Sequence, residues 1–541
     1  MKTETIAGMA ALMALACALA ADAPSGGIEV RLPKPLAAGT LRHACEMRRF
    51  EVPLKEPWDL SSAAGVAFWM KCEDPDAITG TWLYFRTGDG YYRTRVEKPS
   101  APGEWTRCIA LRSKVRLYHW NTHVSLHELH AEPNPADLPD WRRVTGFQIV
   151  FSLAVDHASA DASVRVRDFS PVSSGSPECA AALKRADAAE KAAIERTKAF
   201  APRGGERRYL GTHVWGLDGD WDKTCRMLKG YGITDIIPLM AYDGKAYYNS
   251  RIEPPAPIIA KRGDALKACL AACRKHGIRC IPWRSCWELY TVDSEKELNR
   301  LEAEGRLQVS FAGKRGNWFC PTHPGNVQRE IDGMMELAEA GADGLLLDYF
   351  RYPGVDYCFC PRCRGRFEES IGRKIDDWPQ AVRKDPALAK AWSQFRMGVL
   401  TDILRRARAE MKRKTPDILF ASATAATLGG AEARGQDLPR WCKEGLFDML
   451  FTMCYCTTHK MLANDVKNEM EFMRGSKTVL CPMICFASGA IPFNDPDEIA
   501  RQIQVVRDAG LPDLSFFRLE EYTPMALDAL RQGPLAPVPG K

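Results

Sequence analysis

The sequence predicts an α/β protein: a (β/α)8 TIM barrel preceded by an N-terminal antiparallel β-sandwich. Three observations carry that expectation. Over roughly the last 330 residues, eight apolar strand candidates recur, each followed by a helical stretch, which is the count and size of such a barrel. Residues 28–173 instead carry short runs that alternate apolar and polar with period two. Finally, the apolar run Gly344-Leu345-Leu346-Leu347 ends abruptly in Asp348-Tyr349-Phe350-Arg351-Tyr352-Pro353. A buried parallel strand reads this way, turning polar only where it leaves the sheet.

Taken in order, residues 1–21 read as a secretory signal, with Lys2 as a thin basic end, an apolar stretch from Ile6 to Ala16, and a small-residue cleavage site at Ala18-Leu19-Ala20. An exported protein is expected, in the periplasm, at the cell surface or secreted. Ala14-Leu15-Ala16-Cys17 offers lipid anchoring at Cys17 as an alternative. No other apolar run reaches the roughly 18 residues of a spanning helix, so no stable membrane insertion is expected.

The sandwich is assigned to residues 22–175, with strands expected at 65–71, 81–86, 91–96, 146–151 and 163–167 and a hairpin turn at Gly88-Asp89-Gly90. Trp82 and Trp120 are its aromatics able to stack on sugars, although an aromatic in a sandwich is more often core. Residues 176–207, rich in Ala, Lys and Glu around Ala180-Ala181-Ala182-Leu183-Lys184-Arg185-Ala186, form a helical connector. The barrel occupies residues 208–535. Its strands are expected at 209–214, 235–240, 278–283, 344–348, 418–422, 448–454, 478–484 and 514–519. No Gly-rich phosphate loop follows the first of them, which argues against a doubly wound dinucleotide fold.

Composition narrows the partners. The net charge of +6 arises from 74 basic and 68 acidic residues with no long basic run, so nucleic acid is not an expected partner. There is no Gly-x-Ser-x-Gly elbow for a serine hydrolase. The chemistry that remains is carboxylate chemistry at the C-terminal ends of barrel strands. Asp348 ends the fourth strand and Glu520 follows the eighth, so the two face each other across the mouth as an expected catalytic pair. Arg518 shares Glu520's parity and holds it ionised. Glu288 and Asp243 are rival second acids. His213, Trp215, Tyr242, Trp287, Tyr349 and Tyr455 stand at strand ends as platforms for a sugar ring, with Arg284 and Arg351 on the polar rim. Cys358, Cys360 and Cys363 fall within six residues, a spacing that suits one metal ion better than disulfides.

Several of these motifs also resemble known families. Tyr247-Tyr248-Asn249-Ser250, Ile281-Pro282-Trp283, Trp318-Phe319-Cys320-Pro321-Thr322-His323-Pro324, Leu347-Asp348-Tyr349-Phe350-Arg351-Tyr352-Pro353 and Met453-Cys454-Tyr455 resemble the glycosyl-hydrolase-like barrels of family 10. That family's fourth strand carries two consecutive acids where this chain has Asp348 and Tyr349. Cys320 with the later triplet is similar to the zinc ligands of family 42 β-galactosidases, which implies a structural Zn²⁺, since an all-cysteine shell is closed to chemistry. Gly103-Glu104-Trp105 and the strand period of the N-terminal region look like jelly-roll, carbohydrate-binding modules. The resemblances imply a glycoside hydrolase acting on a polysaccharide or cell-wall glycan, without an organic cofactor. The alternative is a non-catalytic glycan-binding surface protein with a degenerate site.

Overall fold

The computed structural model describes residues 28–31, 47–87, 90–118, 140–153, 163–212, 214, 219–289, 295–456, 458–485, 495–519 and 524–538. They fall into two compact units, one up to Ala193 and one from Ile194.

The first unit contains two antiparallel sheets. One orders Ile28–Arg31, Ser163–Ser173, Ala63–Cys72 and Trp105–Leu111; the other orders Met47–Trp58, Val144–Leu153, Ile78–Thr87, Gly90–Val96 and Arg116–Tyr118. Period-two alternation turns Val66, Phe68 and Met70, Leu83 and Phe85, and Phe147, Ile149 and Phe151 into one shared core. Phe85 and Phe147 meet edge to face at 5.7 Å, and Phe68 stacks on Phe169 at 4.9 Å. Trp82 is 4% exposed, and a Cβ at Gly80 would stand 2.1 Å from its ring. It is therefore a packing residue, while Trp120 lies outside the described residues. The helix Pro177–Thr197 lays Cys179 and Ala182 against Ala67, Leu111 and Val172. Ion pairs from Arg107 to Glu178 and from Lys114 to Asp187 and Glu190 fix its register.

The second unit is a mixed α/β structure built on a curled, parallel sheet. Among the described residues its hydrogen-bonded order is Val479–Leu480, Met449–Met453, Leu419–Ala425, Gly344–Asp348, Trp283–Ser285, Asp235–Tyr242, Arg208–Thr212, Leu514–Phe517 and Met483–Cys485. Helices alternate with these strands, as parallel pairing requires. The curl is visible in the core: the rings of Tyr209 and Phe451, on strands five places apart in that order, meet edge to face at 5.1 Å. The two ends of the order, Val479–Leu480 and Met483–Cys485, are separated in the chain only by Cys481 and Pro482.

Two expected strands are each divided by a proline. The third becomes Arg279–Cys280 and Trp283–Ser285 around Ile281-Pro282, and the seventh divides around Cys481-Pro482. Proline has no N–H to give the ladder, so regular pairing lapses there. Both carbonyls stay in use: Pro282 O accepts from Leu346 N at 2.9 Å, and Pro482 O accepts from the Ser515 hydroxyl at 3.0 Å. Helix starts are capped by Asp220, Asp264, Asp385 and Thr458, whose side chains accept from backbone N–H groups of the first turn. Among the described residues no helix is long and apolar enough to cross a membrane.

The sandwich packing is tight enough to test. A Cβ at Gly65 would sit 2.2 Å from the carbonyl oxygen of Ala110 on the neighbouring strand. Gly65→Ala should therefore force the strands apart and destabilise the first unit by roughly 1–3 kcal/mol, the usual cost of overpacking. A denaturant titration should show an earlier first transition, and an unchanged midpoint would contradict this packing.

Candidate active site at the carboxyl edge of the parallel sheet

Asp243, Trp287, Tyr349 and Tyr455 are non-glycine residues with positive φ, at 57°, 66°, 54° and 22°. Each lies at or just beyond the C-terminal end of a strand of the parallel sheet. Such backbone costs on the order of 1–3 kcal/mol per residue and persists only where the surroundings dictate it, which happens most at functional sites. Among the described residues the only other non-glycine example is Asp168, in the first unit.

Asp348 is at the centre of this edge. It is 6% exposed, and the Tyr349 N–H donates to its Oδ1 at 2.7 Å. Burial pushes its carboxyl up to about 6, against the opposing pull of Arg351 and that N–H. The neighbouring strand is in register, with Ser285 opposite Asp348, and Cys286 N donates to Asp348 O at 2.9 Å. This register brings up the turn that carries Glu288.

Glu288 is 1% exposed. The Ser285 hydroxyl donates to its Oε1, while its buried Oε2 has no partner among the described residues. Desolvation pushes its carboxyl well above the ordinary range; the charges of Asp348 and Asp243 add to the rise, and Ser285 and Arg351 oppose it. Asp243 itself is wholly buried. Glu288 thus lies within the field of two other carboxyls.

Aromatic rings wall the site. Trp318 bridges Glu288 through its backbone and lies 5.7 Å from the Tyr349 ring. Trp287, expected as a platform for a sugar, is instead 1% exposed and packs against the buried Phe350 at 5.6 Å, because the turn after its strand folds it inward. Trp283 meets Phe517 at 5.9 Å, and Tyr455 stacks on Phe517 at 5.1 Å. Arg351 lies over the Tyr349 ring at 4.6 Å and Arg518 over Phe517 at 5.5 Å. Tyr242, half-buried, ends the strand before Asp243. Of the residues expected from sequence, Asp348, Glu288, Asp243, Tyr349, Arg351, Trp287, Tyr455 and Arg518 all stand along this edge. His213, Trp215 and Glu520 lie outside the described residues.

Arg284 stands apart from the rim expected for it. It is fully buried, its guanidinium held by Glu253 at 2.7 and 3.0 Å and by Glu330 at 2.8 and 3.1 Å. Arg329 pairs with both of the same glutamates. Glu330 Oε1 also accepts from the Trp287 N–H at 3.4 Å. A residue ending a short strand reads from sequence as rim, and its partners, 31 and 46 residues away, leave no local signal.

The sulfurs of Cys320, Cys358, Cys360 and Cys363 all lie within 4.8 Å of one another and are buried. Cys320 Sγ stands 3.9, 3.7 and 3.5 Å from the sulfurs of Cys358, Cys360 and Cys363. A tetrahedral shell with bonds of about 2.3 Å spaces its sulfurs about 3.8 Å apart, so this set can hold one metal ion. Backbone N–H groups of Val309 and Cys363 point at Cys358 and Cys360 Sγ at 3.4 Å each. Cys269, Cys273 and Cys280 form a second buried trio of sulfurs.

No family model and no curated protein matches the chain. Among solved structures it is similar to the PgaB (BpsB) glycoside hydrolase domain from Bordetella bronchiseptica, with 16% identity and a TM-score of 0.49 over 61% of this chain and 99% of that one. It is also similar to an exo-beta-agarase, with 9% identity and a TM-score of 0.43 over 94% of this chain and 93% of that one. A third is the Ostrinia furnacalis Group IV chitinase, with 10% identity and a TM-score of 0.36 over 60% of this chain and 98% of that one.

Arg284 gives a direct test of the internal support. Arg284→Ala removes the fully buried cation and leaves Glu253 and Glu330 with Arg329 alone, which should cost about 3–5 kcal/mol. Urea unfolding should show the loss in the transition of the second unit. A change under about 1 kcal/mol would mean that the cluster is solvated rather than buried.

Proposed function

We propose that this protein is an exported glycoside hydrolase whose parallel sheet closes as a (β/α)8 barrel, with Asp348 and Glu288 as the catalytic carboxyls. The observation that carries the reading is the coupled pair of buried carboxyls at the carboxyl edge of the sheet, inside an aromatic wall. Closure is supported by the sheet order, whose two ends are halves of one chain segment two residues apart. The sandwich is assigned to glycan binding, as its strand period suggests.

Hydrolysis of a glycosidic bond needs one carboxyl that keeps its proton and one that loses it. Both groups here are raised. We assign Glu288, whose carboxyl burial pushes well above the ordinary range, as the acid that donates to the departing glycosidic oxygen. Asp348 is ionised above about pH 6 and acts as the base or nucleophile. Tyr349 N–H holds Oδ1 of Asp348, and Ser285 holds Oε1 of Glu288, so each carboxyl has one oxygen fixed. The half-buried rings of Tyr349, Tyr455 and Phe517 offer apolar faces to the C–H faces of a sugar, and the buried tryptophans behind them exclude water.

Asp348→Asn and Glu288→Gln should each slow release of reducing ends by a factor on the order of 10² or more, while Glu520→Gln stays within a few-fold of the parent. A severe loss in Glu520→Gln with near-normal Glu288→Gln would transfer the second role to Glu520. The acid limb of the rate profile should fall with an apparent value near 6, as Asp348 takes up its proton. The same group has a stability signature. Its folded-state proton affinity is raised above the unfolded value, so its contribution to stability is complete below about pH 4 and lost as pH rises through about 6. Asp348→Asn escapes that loss and should melt no lower than the parent at pH 7, with a gain of up to about 3 kcal/mol. A melting point that falls sharply would show Asp348 to be structural.

For the four-cysteine cluster we assign Zn²⁺ in a structural role, because an all-thiolate tetrahedral shell leaves no open position. Protein purified without chelator should contain one zinc per chain from this cluster, and Cys360→Ser with Cys363→Ser should abolish it. Parent protein free of zinc after such a purification would reject the assignment.

A further inference from the structure

Arg434 lies just beyond the short helix Leu428–Glu432, which follows the strand Leu419–Ala425. Its carbonyl accepts the Tyr352 N–H at 2.9 Å, which ties it to the segment carrying Asp348 and Arg351. The turn is specific: Gly435 has φ of 76°, and a Cβ there would stand 2.7 Å from the Tyr352 ring. Only glycine permits this backbone against that ring.

The guanidinium of Arg434 donates through Nη1 to Gly430 O at 2.9 Å, and its buried Nε has no partner. No described carboxylate pairs with it. Arg351 is in a similar condition, flat on Tyr349 with a buried Nε left over and no ion pair with a described carboxylate. The two cations are near enough for Arg351's charge to bear on Arg434, and desolvation disfavours the charge on Arg434 further. Arg434 has no described carboxylate partner, and Arg351, although the charges of Asp348 and Glu288 attract it, makes an ion pair with neither, so the two half-buried guanidiniums keep hydrogen-bond donors unused. Guanidiniums with free donors aimed the same way are also the usual means of gripping a carboxylate or sulfate.

We propose that Arg351 and Arg434 form an anion subsite beside Asp348, and that the glycan taken is acidic, bearing a carboxylate or a sulfate ester on a sugar next to the cleaved bond. This rests on the glycoside hydrolase reading for the phrase "cleaved bond", but the binding itself does not. An anion there completes the two donor sets and brings an acidic sugar alongside the Tyr349 ring.

The test separates binding from turnover. Affinity electrophoresis of the Asp348→Asn protein should be run through polygalacturonate, a sulfated galactan, and neutral xyloglucan and mannan. At least one acidic polymer should retard the protein at least tenfold more strongly than the neutral ones, and added salt should weaken that retardation. Polygalacturonate alone would identify a carboxylate, the galactan alone a sulfate. Arg434→Gln should remove most of the preference, Arg434→Lys should keep part of it, and Arg351→Gln provides a second route if the first variant unfolds. Equal binding of neutral polymers, no binding of either acidic polymer, or a preference untouched in folded Arg434→Gln or Arg351→Gln would overturn the subsite. Acidic binding without release of reducing ends from any polymer by the parent would instead count against hydrolysis and leave the subsite standing.

Discussion

The guanidinium of Arg284 is the fixed point from which the candidate site is built. It is wholly buried and holds Glu253, from the loop after one strand, and Glu330, from the helix Pro324–Glu339. That helix makes room for it at Gly333, where a Cβ would stand 2.7 Å from the guanidinium. Glu330 then reaches the Trp287 N–H, and Trp287, forced to φ of 66°, turns the chain so that Glu288 points back to Ser285. A buried cation thus sets the angle of a turn, and the turn sets the position of a carboxyl. Buried ion clusters rarely add stability over an apolar core. Their value here is positional.

The cysteine cluster acts on the site from the other side. Cys320 closely follows Trp318, in the strand Arg315–Phe319, while Cys358, Cys360 and Cys363 follow the segment that begins with Tyr349. Gathering the four sulfurs pins these two stretches together, and it is Trp318 and Tyr349 that pack against each other at 5.7 Å. The cluster therefore needs no open coordination position to influence the candidate site: it fixes two aromatic residues beside Asp348.

How much of this was legible depended on the range of the interaction. The sandwich core was readable because period-two alternation is local, as in Val66, Phe68 and Met70. The parallel strands were readable because their apolar runs end where the sheet ends, as at Leu347 and Asp348. The cysteine triplet was readable because its spacing is its geometry. Arg284 reads from sequence as a rim residue because it follows the apolar run of a short strand, and only the distant Glu253 and Glu330 reveal otherwise. Glu288 could be named from its place after Ser285, but its unpartnered Oε2 and its exposure to the charge of Asp348 arise from strand pairing. Arg434 carried no signal at all: a polar residue in a loop gives no hint that it will be buried beside another arginine.

One constraint connects the acids and the arginines. Burial raises the carboxyls of Asp348 and Glu288, while the half-buried Arg351 and Arg434 form no ion pair with a described carboxylate. Asp348 and Arg351 lie close along the chain with opposite charge and attract each other, yet they do not collapse into a salt bridge. Arg351 instead lies over the Tyr349 ring at 4.6 Å, and Tyr349 is held at φ of 54°. If the pair did close, Asp348 would be driven down into the ordinary ionised range and the proton affinity near neutrality would be lost. If the Tyr349 ring is what holds Arg351 away from Asp348, then Tyr349→Gly, which removes both the ring and the strain, should let the two pair. The acid limb of the rate profile should then move to lower pH in that variant, in the direction of an unperturbed aspartate. An unmoved limb would show that burial alone, without the Tyr349 spacer, sets the proton affinity of Asp348.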